Sequence, residues 1–198
     1  MTTARRWVLL PAVVAPVALI GGWTLGAAAQ PPGYSAVAQT ISALAARDAT
    51  DRWIMTAGLA LLGVAHVGTA LGLGPAVRVP ARVVLALGGL ATVAVAQFPQ
   101  PAGDGSSAAH VGFATLGFVA LTAWVPLAVR RDGPWVLRPP VTLAATVVIA
   151  ASLVVFGLTL PTDVVGLTER LLAGAQALWP LGVALAVWPR HRAGTARA

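Results

Sequence analysis

Six long apolar segments, each nearly free of charged side chains, constrain the fold of this chain more than any other feature. About 20 apolar residues span the hydrocarbon core of a bilayer. Because backbone polar groups in lipid must be paired within their own segment, each segment predicts a transmembrane helix. The predicted helices cover residues 7–29, 53–73, 83–98, 108–129, 141–160 and 171–188. The expected fold is all-α: a polytopic membrane protein, a six-transmembrane-helix bundle forming a single domain over residues 1–198.

The composition excludes a water-soluble domain and several kinds of site. Hydrophobic residues make up 58% of the chain and charged residues 10%, whereas soluble domains carry about a quarter charged residues. The absence of cysteine removes disulfides, thiolate nucleophiles and thiolate metal sites. The net charge of +7 comes from arginines in short groups between the apolar segments, so it does not predict nucleic-acid binding. We predict neither a cofactor nor a metal site.

The arginines are divided unevenly between the two sides of the predicted bundle. With six crossings, ten of the thirteen fall on one side. Because cytoplasmic loops carry an excess of basic residues, the sequence predicts a plasma (inner) membrane protein with both termini in the cytoplasm. The three arginines on the outer side are Arg47, Arg52 and Arg170, and the acids Asp163 and Glu169 are expected there as well. The first segment also has features of a signal peptide, but its length favours an uncleaved anchor.

The first predicted outer loop is long, and long loops in compact domains are usually functional or disordered. Within residues 34–46, Val37, Ile41 and Leu44 recur at helical spacing. This spacing predicts a short helix that lies in the membrane interface or over the mouth of the bundle.

Residues in this loop and beyond it carry a family resemblance. Tyr34-Ser35 and residues 39–45 are followed by residues 51–56, and then by His66 with residues 69–73. Together with Pro99-Gln100-Pro101, Gly103 and His110, they resemble a bacterial integral-membrane family known as domain of unknown function 998. The resemblance covers most of the chain and weakens beyond Val129. It implies a six-helix membrane protein and supplies no established activity.

Polar residues gather at the predicted outer mouth, where we expect an outward-facing polar cavity. A carboxylate beside His110 could orient the imidazole, which could in turn activate a hydroxyl such as that of Ser42. The candidate catalytic residues are His110, Asp104, Asp163 and Ser42, and the candidate ligand-binding residues are Gln39, Ser35, Arg52, His66, Gln97 and Arg170.

Structural roles are the alternative for the polar residues at the outer mouth, since no catalytic motif surrounds them. Asp51, Ser107 and Thr168 stand where helix N-caps are expected, and Asp48 and Arg52 have the spacing of a helical ion pair.

The two histidines of the membrane segments are not expected to share a haem or a metal ion. Counted from the outer helix ends at 1.5 Å per residue, His66 lies about 20 Å deep and His110 about 3 Å deep. We interpret His66 as a buried imidazole that is hydrogen-bonded across helices, with a proton-relay role as the alternative.

The sequence is compatible with three function classes. The first is a membrane protein that binds a lipid or small hydrophobic ligand in its outer cavity. Its expected partners are membrane lipids, a second copy of this chain or another membrane protein. The second is a membrane-embedded hydrolase or transferase that uses His110 with Asp104 or Asp163. The third is a small carrier or permease, which the scarcity of polar residues at mid-membrane disfavours.

Overall fold

The computed structural model describes residues 4–188 except Asp104 and Ser106. Within these residues the chain forms six long α-helices and no strand. The helices are α1 (Leu9–Ala28), α2 (Trp53–Gly72), α3 (Val79–Gln97), α4 (Ala108–Leu127), α5 (Pro139–Thr159) and α6 (Val165–Val187). All six are long and apolar enough to cross a membrane. The predicted all-α six-helix bundle is therefore confirmed, and the chain is a multi-pass membrane protein.

Two helices, α3 and α6, begin at least four residues earlier than the apolar pattern predicts. α3 begins at Val79, so Arg82 lies in its first turn, where its Nε donates to the Ala70 carbonyl at 2.8 Å. α6 begins at Val165 rather than at residue 171. Glu169 and Arg170 do not end this helix because their side chains form hydrogen bonds with the first loop rather than facing bulk water.

Glycine allows the backbones of α2 and α3 to touch. A Cβ atom on Gly63 would lie 2.5 Å from the Gly89 carbonyl oxygen, and one on Gly89 would lie 2.6 Å from the Gly63 carbonyl oxygen. Such close approach is typical of membrane helices that pack through small residues. By contrast, α5 lies at the periphery, since Thr142 and Ile149 are its only buried side chains.

Backbone hydrogen bonds define the two ends of the bundle. At one end, the Ala4 N–H donates to the Val187 carbonyl at 3.4 Å and the Arg5 N–H to the Gly72 carbonyl at 2.8 Å. We call this the terminal end, because both ends of the described chain meet there. The opposite end carries the first loop, residues 29–52, and we call it the first-loop end.

The first loop folds back over its end of the bundle. A short helix is present, but it is a 3₁₀ helix limited to Ser42–Ala45 and does not extend over residues 34–46. Ile41 and Leu44 are buried as their spacing suggested, whereas Val37 is exposed. Helical spacing over-predicted the helix because several backbone groups of the loop bond to α6, as in the hydrogen bond from the Leu167 N–H to the Val37 carbonyl at 3.0 Å.

Candidate functional site

A small chamber lies inside the bundle beneath residues 34–45 of the first loop, which we call the cap segment. Its volume is about 50 Å³. By the same measure a water molecule needs about 10–15 Å³, so the chamber has room for about three to five water molecules. Its apolar walls include Leu19, Leu59, Leu62, Val95, Phe118 and Leu121, and its polar lining residues are Ser42, His66, Thr92, Glu169 and Gln176.

The polar groups of the chamber extend from the cap segment to the middle of the bundle. Ser42 belongs to the cap segment itself. At 1.5 Å per residue, Glu169 lies about 6 Å along α6 from Val165, and Gln176 about 16 Å. His66 lies about 20 Å along α2 from Trp53 by the same rise. The chamber therefore reaches from the first-loop end into the membrane-spanning region.

Three polar atoms at the deep end of the chamber have no hydrogen-bond partner among the described residues. They are Nδ1 and Nε2 of His66 and Oε1 of Gln176. The predicted hydrogen bond of His66 across helices is therefore wrong. The other amide atom of Gln176, Nε2, donates to the Phe118 carbonyl at 2.9 Å and to Thr122 Oγ1 at 3.0 Å. An unpartnered buried polar group costs about 1–3 kcal/mol, so these atoms require an explanation.

Glu169 is a chamber residue that the sequence analysis placed on the outer surface. Only 4% of Glu169 is exposed, and its Oε2 accepts a hydrogen bond from the Ile41 N–H. The signal that was missed is the spacing of Glu169, Ala173 and Gln176, which places all three on one face of α6. An ionisable side chain inside a membrane bundle is rare and usually marks a functional site.

Arg170 fastens the cap segment to α6. Its Nη1 donates to the Ala36 carbonyl at 2.7 Å and to the Gln39 carbonyl at 2.8 Å. Its Nη2 donates to the Tyr34 hydroxyl oxygen at 2.7 Å. Burial raises the pKa of the Tyr34 phenol, against the opposing effect of the Arg170 guanidinium. The phenol therefore keeps its proton near neutral pH and accepts the hydrogen bond as a neutral group.

Other predicted ligand-binding residues support the first loop or lie apart from the chamber. The Ser35 hydroxyl accepts from the Ala38 N–H at 3.3 Å, and Arg52 Nε donates to the Ala45 carbonyl at 3.4 Å. Gln39 contributes its carbonyl to Arg170, and Gln97 is exposed at the end of α3. Of the nine candidate site residues that the structure describes, Ser42 and His66 line the chamber.

The proposed catalytic residues are not joined by the hydrogen bonds of the described chain. His110 is buried, and its Nδ1 lies 2.9 Å from the Phe98 carbonyl oxygen. Within the described residues, no hydrogen bond connects His110 to Ser42 or Asp163, and Asp163 is exposed. Asp104 lies outside the described residues. Catalysis by these residues stays a prediction.

The predicted helix caps have mixed outcomes. Ser107 is the N-cap of α4, and its hydroxyl accepts from the His110 N–H, which confirms that prediction. Asp51 caps no helix through its side chain, since its Oδ1 accepts from Trp53 Nε1 at 3.3 Å. Thr168 lies within α6. Asp48 accepts from the Gly103 N–H at 2.9 Å instead of pairing with Arg52, because the residues between them are turns and not a helix.

No group of three or more His, Asp or Glu side chains is placed to hold a metal ion in the described part of the chain.

Comparison with protein families identifies the relatives of this bundle. The model of the family described as "Protein of unknown function (DUF998)" matches residues 12–186. The chain belongs to this family. The match extends over all six helices, so the chamber and most of the cap segment's contacts lie within the family's region. Comparison of this DUF998 member with curated proteins and with solved structures gives no significant match.

Proposed function

We propose that this DUF998 member binds a small ligand in the chamber and that the cap segment opens to admit it. The observation that carries the proposal is the set of unpartnered polar atoms, His66 Nδ1, His66 Nε2 and Gln176 Oε1, inside a cavity whose walls are mainly apolar. Ligand sites are typically concave and apolar, with a few convergent polar groups that orient the ligand.

The chemistry of the chamber specifies the kind of ligand. A neutral imidazole offers one donor and one acceptor, and the amide oxygen of Gln176 offers an acceptor. A hydroxyl or amide group on an otherwise apolar molecule complements this set. We therefore infer an amphiphilic or small hydrophobic ligand whose polar group reaches His66 and whose apolar part contacts side chains such as Leu62 and Phe118.

The size of the chamber requires the cap segment to move. Sites for drug-sized ligands occupy about 300–1,000 Å³, whereas this chamber measures about 50 Å³. The hydrogen bonds that hold the cap segment to α6 come from the side chains of Glu169 and Arg170 and from the Leu167 N–H. Opening of the cap segment breaks these hydrogen bonds, which water can replace, and it exposes the buried side chains of Ile41 and Leu44.

Binding is favoured over transport because the chamber is closed toward the terminal end. On that side the bundle is filled by an apolar cluster that includes Leu85, Trp124, Val125 and Val183, all fully or almost fully buried. A carrier would need a second opening through this cluster.

We also infer that the protein lies in the plasma (inner) membrane with its terminal end in the cytoplasm and the cap segment outside. The uneven distribution of the arginines supports this orientation. The contact of Ala4 with Val187 is consistent with both ends of the chain lying on one side.

The variant His66→Leu tests the proposed site. It replaces an unpartnered imidazole by an apolar side chain, so the ligand-free protein is expected to become more stable by about 1–3 kcal/mol. At the same time, the variant should lose any non-protein molecule that the purified wild type retains. Thermal unfolding in mild detergent reports the stability, and native mass spectrometry reports the retained mass.

Thr69→Val is the matched control. Thr69 is also buried on α2, but its hydroxyl already donates to the Ala65 carbonyl at 2.8 Å and it does not line the chamber. The control should leave ligand retention unchanged. A destabilised His66→Leu protein with wild-type retention would show that His66 is a structural residue and would refute the proposal.

A further inference from the structure

A second pocket, distinct from the chamber, opens at the terminal end of the bundle. It lies between the loop that joins α2 to α3 and the loop that joins α4 to α5, and its volume is about 760 Å³. Its lining residues are Pro75, Arg78, Val129, Arg130, Arg131, Asp132 and Pro139. Three of them are arginines and one is an aspartate, so the lining carries a net positive charge.

The basic lining has a fixed part and an accessible part. Arg130 Nη1 donates to the Pro75 carbonyl at 3.1 Å and to the Ala76 carbonyl at 2.9 Å, which ties the two loops together. The backbone N–H of Arg130 donates to the Leu137 carbonyl at 2.7 Å. Arg78 and Arg131 are exposed. The pocket therefore presents two accessible guanidinium groups beside an ordered loop.

Two helices begin at the rim of this pocket. Arg78 is the N-cap of α3, and Pro139 is the first residue of α5. The N-terminus of a helix carries a partial positive charge, which favours anions. Because Pro80, Pro139 and Pro140 have no backbone N–H, these two helix ends contribute mainly this charge and few hydrogen-bond donors. The helix ends therefore add to the attraction that the arginines exert on a negatively charged group.

The position of the pocket at the ends of the helices indicates that the anion is a lipid headgroup. Arg78 directly precedes α3, and Val129 and Arg130 follow closely after the end of α4 at Leu127. The ends of membrane-spanning helices lie at the level of the lipid headgroups. On α5, Leu143 and Val147 follow Pro139 at intervals of four residues, so they share its face of the helix, and both are exposed. This face offers apolar surface to the acyl chains of a lipid whose headgroup occupies the pocket.

We propose that the pocket binds the phosphate group of an anionic membrane lipid. Arg78 and Arg131 contact the phosphate oxygens, Arg130 holds the two loops in position, and the acyl chains lie along α5. Guanidinium groups suit this role because they donate two parallel hydrogen bonds to a phosphate. The proposal is independent of the ligand inferred for the chamber.

Titration of the full-length protein in mild detergent with phosphatidylglycerol, followed by native mass spectrometry, tests this proposal. We expect one bound phosphatidylglycerol at concentrations where phosphatidylcholine does not bind. One basic residue near a membrane surface contributes about 1 kcal/mol to the binding of anionic lipid, so Arg131→Gln and Arg78→Gln should each weaken binding about fivefold. Asp132→Asn removes the opposing charge and should strengthen binding.

Arg47→Gln is the matched control, because it removes the same charge from an exposed arginine at the first-loop end. It should leave binding unchanged, and thermal unfolding should show that all four variants are folded. Equal weakening by Arg47→Gln and Arg131→Gln would indicate attraction by net charge alone and would overturn the proposal.

A competition experiment with free inorganic phosphate distinguishes a lipid headgroup from free phosphate as the bound anion. Retention of phosphatidylglycerol in excess phosphate supports a lipid site. Displacement by phosphate, or equal binding of phosphatidylcholine, would overturn it.

Discussion

The junction between Gly166 and the cap segment offers the sharpest test of the closed chamber. A Cβ atom on Gly166 would lie 2.2 Å from the Gln39 carbonyl oxygen and 2.7 Å from the Ala36 carbonyl oxygen. Real Cβ atoms do not approach other atoms within 3.0 Å, and the obstructing atoms belong to the backbone. The variant Gly166→Ala must therefore push the cap segment away from α6.

The size of the effect follows from the contacts that this displacement breaks. Arg170 Nη1 donates to the same two carbonyls at 2.7 and 2.8 Å, and these bonds weaken once the cap segment moves. Forcing one extra carbon atom into a well-packed site costs about 1–3 kcal/mol. If this energy destabilises only the closed position, the open fraction rises by about 5- to 150-fold.

Cysteine accessibility measures this change directly, because the chain contains no native cysteine. Ser42 is buried in the cap segment, so Ser42→Cys should react slowly with a water-soluble maleimide in the otherwise wild-type protein. Labelling should accelerate by at least about fivefold when Gly166→Ala is added.

Gly182→Ala is the control for the general effect of alanine on α6. Gly182 also lies in this helix, but a Cβ atom there has no neighbour within 4 Å. It should leave the labelling rate of Ser42→Cys unchanged and stabilise the helix by up to about 1 kcal/mol. Equal labelling rates in the Gly166→Ala and Gly182→Ala backgrounds would refute the closed-cap interpretation.

Three further predictions use the same cysteine-free chain. Arg170→Lys should also speed labelling of Ser42→Cys, because a lysine ammonium cannot reproduce the planar donor geometry that reaches two carbonyls and Tyr34. An unchanged labelling rate would show that Arg170 does not hold the cap segment closed. Gly63→Ala should lower the free energy of unfolding by about 1–3 kcal/mol, since its Cβ atom would meet the α3 backbone. Gly112→Ala should not, because no atom lies within 4 Å of its Cβ position, and similar melting temperatures of the two variants would contradict the close contact of α2 with α3. Val37→Cys and Asp132→Cys should react with an impermeant maleimide from opposite sides of the membrane, and reaction from the same side would overturn the six-crossing topology.

The chamber shows why the site was harder to predict than the fold. His66 was recognised as a deep polar residue because it interrupts an apolar segment, and that information is local. Glu169 was placed outside because it stands beside Arg170 next to a predicted helix end. Its burial depends on the Ile41 N–H, which lies 128 residues away in the chain and satisfies the carboxylate. A hydrogen bond between such distant segments leaves no periodic pattern in either of them.

The cap segment shows a second limit of local patterns. The spacing of Ile41 and Leu44 correctly marked side chains that become buried. The same spacing suggested a continuous helix, but the backbone groups of Val37 and Ile41 bond to α6 instead of to neighbouring turns. Periodicity reports which side chains prefer burial, and it does not report which partner satisfies the backbone.

The amino-acid order alone was enough to establish six membrane helices, their approximate limits and the asymmetric placement of arginine. The helices follow from the transfer of apolar side chains from water to lipid, and the arginine distribution follows from the charge of each connecting loop. Both are properties of single segments of the chain. The chamber, the closure of the cap segment by Glu169 and Arg170, and the basic pocket at the terminal end required the folded bundle. Each depends on residues far apart in the chain, and their proximity arises only when the helices have packed.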